Sequence, residues 1–253
     1  MIRPLLIAVQ FLTRLPVRLH NPPEPWETGR SILYYPLVGL FLGLLLAALA
    51  WLLAALPPLL ASALLLVAWV MLTGGLHLDG LADSADAWAG GHGDRDRTLA
   101  IMKDPRSGPM GVTAVVLVLL VKFAALVTLC EAGGYLALVL APLLARTALP
   151  LLFLTTPYVR PGGLGASLAA QLPRRMSAGI VAVSYAAVPL AAGMNGWWAV
   201  TAAIATFVYL RAAMRRHIGG TTGDTAGALV ELTEVAVLVC VAAVLSVHAP
   251  PAA

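Results

Sequence analysis

Asp79, Asp83 and Asp86 stand in the run Gly74-Gly-Leu-His-Leu-Asp-Gly-Leu-Ala-Asp-Ser-Ala-Asp86, directly after an apolar stretch long enough to cross a bilayer. On a helix advancing about 100° per residue, offsets of four and seven return to nearly one direction, so the three carboxylates share a stripe roughly 60° wide. Like charges so arranged repel, and a hard divalent cation with oxygen ligands is the usual remedy. The plain alternative is a solvated face where a helix leaves the membrane. It is disfavoured because the intervening residues are Gly, Ala, Leu and Ser, with no basic side chain before Arg95.

A second group lies in Gly219-Gly-Thr-Thr-Gly-Asp-Thr-Ala-Gly-Ala228, followed by Glu231 and Glu234. The glycines let backbone N–H groups approach an anion, and Thr221, Thr222 and Asp224 offer caps for a helix starting there. Such a helix sets Asp224 and Glu231 on one face, seven residues apart. A plain helix cap would also account for Asp224. Glu231 and Glu234 argue for more, because carboxylates in the first turns of a spanning helix face a cavity or a partner. Lys103, Asp104 and Arg106 surround Pro105, which disfavours helix at Asp104. Two cations beside a carboxylate suit a phosphate or diphosphate near a metal. Lys122 and Arg146 each fall about ten residues into an apolar stretch, near mid-bilayer, where a charge is a functional candidate; Arg146, between Pro142 and Pro150, is the stronger one. His77 is expected to point away from the carboxylate stripe and to pack.

Sixty per cent apolar and eleven per cent charged residues place the 253-residue chain among integral membrane proteins. Windows of about 20 residues mark seven spans, near 33–56, 59–76, 112–130, 135–154, 177–192, 197–210 and 229–247. The segment 197–210 is short for a crossing. Of the 16 basic residues, all but Lys122 and Arg146 fall before the first span or in alternate loops. By the positive-inside tendency this sets the amino terminus and the long loops in the cytoplasm. The net charge of +4 follows from that topology and is no argument for nucleic acid. The expected architecture is all-α: one membrane domain over 1–253, with an interfacial amino-terminal segment (1–30) and two cytoplasmic active-site loops, 77–111 and 211–228. No cleavable signal peptide is expected, and Cys130 and Cys240 read as packing residues.

The three motifs, Gly74 to Asp86, Ile101-Met-Lys-Asp-Pro-Arg-Ser-Gly-Pro-Met-Gly111 and Gly219 to Ala228 with Glu231, together resemble the cobalamin synthase family of adenosylcobinamide-GDP ribazoletransferases. Phe11-Leu-Thr-Arg-Leu-Pro16 and Pro36-Leu-Val-Gly39 fit it too, so the resemblance covers essentially the whole chain. Departures such as Pro105 and Pro109 concern neighbours of the charged positions. The resemblance implies that the hydroxyl of alpha-ribazole, or of its 5'-phosphate, attacks adenosylcobinamide-GDP to give cobalamin or its 5'-phosphate and GMP. Magnesium (Mg2+) is the implied cofactor, and the bacterial cytoplasmic membrane the implied place. Asp79, Asp83, Asp86 and Asp224 are then the metal ligands. Asp104 or Glu231 orients or deprotonates the hydroxyl; Lys103, Arg106 and Arg146, with Thr221 and Thr222, hold the substrate. A homo-oligomer is compatible with the pattern. Three other readings use similar residues: a CDP-alcohol phosphotransferase, whose DGxxAR pattern is half present, a membrane aromatic prenyltransferase, and an ion-coupled transporter, which would bury its acids near mid-membrane.

Overall fold

The structure, a computed structural model, describes residues 2–248, apart from the side chains of residues 163, 164 and 248; residues 1 and 249–253 lie outside it. The elements in order are α1 (Ile2–Leu12), α2 (Pro25–Ser31), a 3₁₀ turn (Ile32–Tyr34), α3 (Tyr35–Leu52), α4 (Pro58–Thr73), α5 (Leu76–Gly90), α6 (Arg95–Ile101), α7 (Pro109–Glu131), α8 (Leu136–Thr155), α9 (Gly163–Ala170), α10 (Arg174–Ile218) and α11 (Gly223–His248). Among the described residues there is no strand, and the architecture is the expected all-α one. Proline marks several beginnings: α2, α3, α4 and α7 each carry one in the first turn. There its fixed φ suits the helix and its missing N–H costs nothing.

Five helical segments are long and apolar enough to cross a membrane, and a sixth if α4 and α5 form one broken span. The protein is therefore a multi-pass membrane protein. Inside α10, Gly193 takes φ 56° and ψ −133°, and a Cβ on Gly196 would lie 2.5 Å from the Val188 carbonyl oxygen. Contact eight residues apart means that the chain doubles back there, so α10 is a hairpin with limbs 174–192 and 194–218. The short segment 197–210 read from hydropathy belongs to a limb that continues to Ile218.

α8 is the central helix, nearly all buried, with α3, α10 and α11 around it. Gly39 and Gly43 bring α3 against the α8 backbone at Pro142 and Val139. Without a hydrophobic drive between helices in lipid, such close approach is what holds a bundle together. The stretch expected as a loop at 77–111 is mostly helix, α5 and α6, and α10 likewise runs through 211–218. In the amino-terminal segment, Ala8 and Leu12 of α1 are fully buried in one apolar cluster with residues of α3 and α8.

Candidate functional site

α4 ends at Gly74 and Gly75, both left-handed (φ 66° and 69°), and α5 leaves at 87° to it. Two successive residues in this region are accessible to glycine at little cost. The bend turns α5 onto α11 and α7. Gly80 meets the start of α11 so closely that a Cβ there would stand 2.6 Å from the Asp224 carbonyl oxygen. Asp79 and Asp83, on the same α5 stripe, are thereby brought toward Asp224, and Asp79, Asp86 and Asp224 all lie within electrostatic reach of Asp83.

The four carboxylates are not equivalent. Asp86 accepts the N–H groups of Gly108 (2.7 Å, at Oδ2) and Gly111 (2.8 Å, at Oδ1), so it caps α7 across 22 and 25 residues of chain. Asp224 pairs with Arg160 at 2.8 Å. The carboxylates of Asp79 and Asp83 have no hydrogen bond or ion pair among the described residues. Also among these, no three His, Cys, Asp or Glu side chains are gathered closely enough to hold a metal ion. The fourfold grip expected of Asp79, Asp83, Asp86 and Asp224 is thus not drawn together, because the α7 cap and Arg160 engage two of its members. Hard oxygen donors in excess over one guanidinium nevertheless fit a divalent cation chemically.

Arg160 is held in place by its chain neighbours. Val159 N–H donates to the Thr221 carbonyl and Thr221 N–H to the Pro157 carbonyl, both at 2.9 Å, forming an isolated parallel bridge between Tyr158 and Thr221. The segment after α8 and the turn before α11 are therefore laced together. Thr221 and Thr222 are fully buried in that turn, where Thr222 N–H donates to Thr225 Oγ1. Their hydroxyls shape the start of α11 and are withdrawn from solvent.

Asp104 accepts from Arg106 through Nε (3.0 Å), Nη2 (2.8 Å) and the backbone N–H, and these bonds hold its carboxyl down at about 2. A group so acidic is a weak proton acceptor. Lys103 and Arg106 are exposed on the same loop, which the Asp86 cap fastens to α5. Arg146 and Glu231 lie elsewhere. Lys122 bonds Glu231 (3.0 Å) and Glu234, Arg146 bonds Glu234, and all four are buried between α7, α8 and α11. Neither Arg146 nor Glu231 reaches the site's cavity.

That cavity, about 410 Å³, is bordered by Asp79, Arg160, Asp224 and His77 among its polar residues. Arg160, Tyr158 and Tyr35 were not singled out in the sequence, and Phe11 of the α1 wall entered only as part of the Phe11–Pro16 motif. Arg160 and Asp224 are 64 residues apart with no shared motif, so no spacing could join them. His77 is buried as expected, yet it lines the cavity.

The fold and the site define a multi-pass α-helical membrane protein whose carboxylates and one arginine meet at a single cavity. The family model described as cobalamin-5-phosphate synthase matches residues 4–242, and the chain belongs to that family. It is similar to curated proteins named adenosylcobinamide-GDP ribazoletransferase. That of Pseudomonas fluorescens is 60% identical over 239 residues, covering 94% of this chain and 98% of the relative. That of Pseudomonas aeruginosa is 58% identical over 241 residues (95% and 98%), and that of Stutzerimonas stutzeri 60% over 236 (93% and 96%). No solved structure matches the chain.

Proposed function

We propose that the chain is an adenosylcobinamide-GDP ribazoletransferase of the bacterial cytoplasmic membrane, with seven spans and its site facing the cytoplasm. An oxygen of the ribazole ribose, in alpha-ribazole or its 5'-phosphate, attacks the phosphorus attached to cobinamide. The bond from that phosphorus to the bridging oxygen breaks, and GMP leaves with it. The acceptor's proton passes to a carboxylate or to water. The observation that carries this reading is the meeting of unpaired Asp79 with the Asp224–Arg160 pair at one cavity, with Asp83 within electrostatic reach of both acids. Excess negative charge facing a diphosphate makes sense only with bound cations.

Magnesium is the cation we assign: the unpaired carboxylates of Asp79 and Asp83 would hold it, with Asp224 beside them, and when bound it would neutralise the diphosphate and the leaving GMP. Arg160, at the cavity beside Asp224, would pair with a phosphate of the substrate. Lys103 and Arg106, on the loop tied to Asp86, carry the positive field that draws the anionic substrate in. Asp86 serves by holding that loop. The lipid bilayer is the working environment.

The test is direct. Purified protein in lipid is incubated with adenosylcobinamide-GDP, alpha-ribazole and Mg2+, and the products are read by mass spectrometry. Cobalamin and GMP in equal amounts are expected, with turnover stopped by EDTA and restored by Mg2+. Hydrolysis of the diphosphate without ribazole incorporation would defeat the proposal.

A further inference from the structure

The cavity is walled by rings. Phe11 of α1 and Tyr35 of α3 stack at 6.2 Å, with planes 25° apart, and Phe153 of α8 stacks with Tyr158 at 6.0 Å and 17°. All four rings line the cavity and come from four separate segments. Leu76, Leu149 and Leu168 complete apolar parts of its wall. His77 lies beside them, 4% exposed, and its Nδ1 is buried with no partner among the described residues. A buried imidazole nitrogen left unbonded is costly and is ordinarily satisfied by something. At the polar part stand Asp79, Arg160 and Asp224.

We infer that this cavity is the acceptor subsite: the benzimidazole of ribazole lies among the four rings, and its ribose reaches the carboxylates. The inference rests on the transferase reading above and says which substrate half goes where. Size agrees, since 410 Å³ is near the small end of ligand sites, about 300–1,000 Å³, and suits one nucleoside but not a corrin with a second nucleotide. Chemistry favours benzimidazole over the other flat base in the reaction. Guanine carries donors and acceptors along its edge, and burying them unpaired among rings and leucines is penalised. The dimethylbenzimidazole has two methyl groups and one unsubstituted ring nitrogen. That nitrogen matches His77 as a polar neighbour, accepting from the imidazole N–H. The corrin and guanosine parts then lie outside it.

Phe153→Leu and Tyr35→Leu remove one ring each at modest loss of volume, and His77→Leu removes the polar neighbour. Steady-state kinetics of each purified variant, varying one substrate at a time, are expected to show KM for alpha-ribazole raised about tenfold, as loss of a stacking partner does, and KM for adenosylcobinamide-GDP unchanged. Should the variants not be monodisperse, titration of the wild-type protein with alpha-ribazole, followed by its own fluorescence, decides. Displacement by free 5,6-dimethylbenzimidazole and not by guanosine supports the subsite. Displacement by guanosine alone, or a raised KM for adenosylcobinamide-GDP with that for ribazole unchanged, overturns it while leaving the transferase reading intact. A wild-type protein that transfers nothing to ribazole overturns that reading, and the subsite with it.

Discussion

At the scale of single residues, carboxylates that looked alike in sequence divide by what already bonds them. Asp83 is free and central among the acids, so Asp83→Ala is expected to lower GMP release about 100-fold or more, as loss of one charge-stabilising group does elsewhere. Asp86→Asn retains one acceptor for the α7 cap and removes the other, a change of about 1 kcal/mol in stability with a smaller drop in rate. Rates measured across a magnesium titration distinguish the two. If Asp86→Asn matched Asp83→Ala, Asp86 would be acting on the reaction and not on the loop. Asp104 is a third case. Its carboxyl lies below its ordinary range, so the support its pair with Arg106 gives the loop is complete above an unfolded value of 3.8 and fades only as pH falls through about 2. The pH–rate profile above about pH 4 should therefore be unmoved in shape by Asp104→Asn. The repeat at four and seven residues was legible because it is local. The Asp86 cap was not, since the glycines it serves lie on a different helix, and Pro109 announces a helix start without saying which side chain will cap it.

Among elements, the bend between α4 and α5 positions the site, and the glycine pair that makes it is visible in the sequence as Gly74-Gly75. Its consequence was not visible, because a bend's direction depends on what receives the next helix. A Cβ on Gly75 would touch nothing, yet its left-handed backbone makes Gly75→Ala cost about 1–2 kcal/mol. The expected result is a folded protein with a lower midpoint of thermal unfolding and slower turnover, as α5 shifts against α11. Gly80→Val is the complementary variant. It meets the Asp224 backbone and should separate the two halves of the site, giving near-complete loss of activity with the bundle still assembled, readable by size exclusion in detergent. The α10 hairpin shows why hydropathy windows mislead. Gly193 in the apolar run reverses the chain, and the second limb's polar end hides its true length from a hydropathy average.

For the molecule as a whole, Lys122, Arg146, Glu231 and Glu234 form a neutral set sealed between α7, α8 and α11, with Lys122 also 4.2 Å from the centre of the Trp69 ring. Charges at mid-span in the sequence suggested function; the structure gives each of them an opposite partner. Glu234 serves both cations, so Glu234→Ala strands buried positive charge and should destabilise the bundle by about 3–5 kcal/mol. The yield of monodisperse protein and its unfolding midpoint in detergent are the readouts, and a soundly folded but inactive Glu234→Ala would instead place that network in the reaction. The spans and their basic loops were legible because hydrophobic length and charge asymmetry are properties of segments, whereas these pairings join residues 88 to 112 positions apart. One further consequence follows from α4. Sixteen helical residues extend only about 24 Å, short of the roughly 30 Å apolar layer of an ordinary membrane. The helix that carries Asp79 and Asp83 is therefore suspended from a short strut. Lipids with shorter acyl tails relax that strut and longer ones stretch it, so turnover should vary with acyl length even when every substrate is saturating.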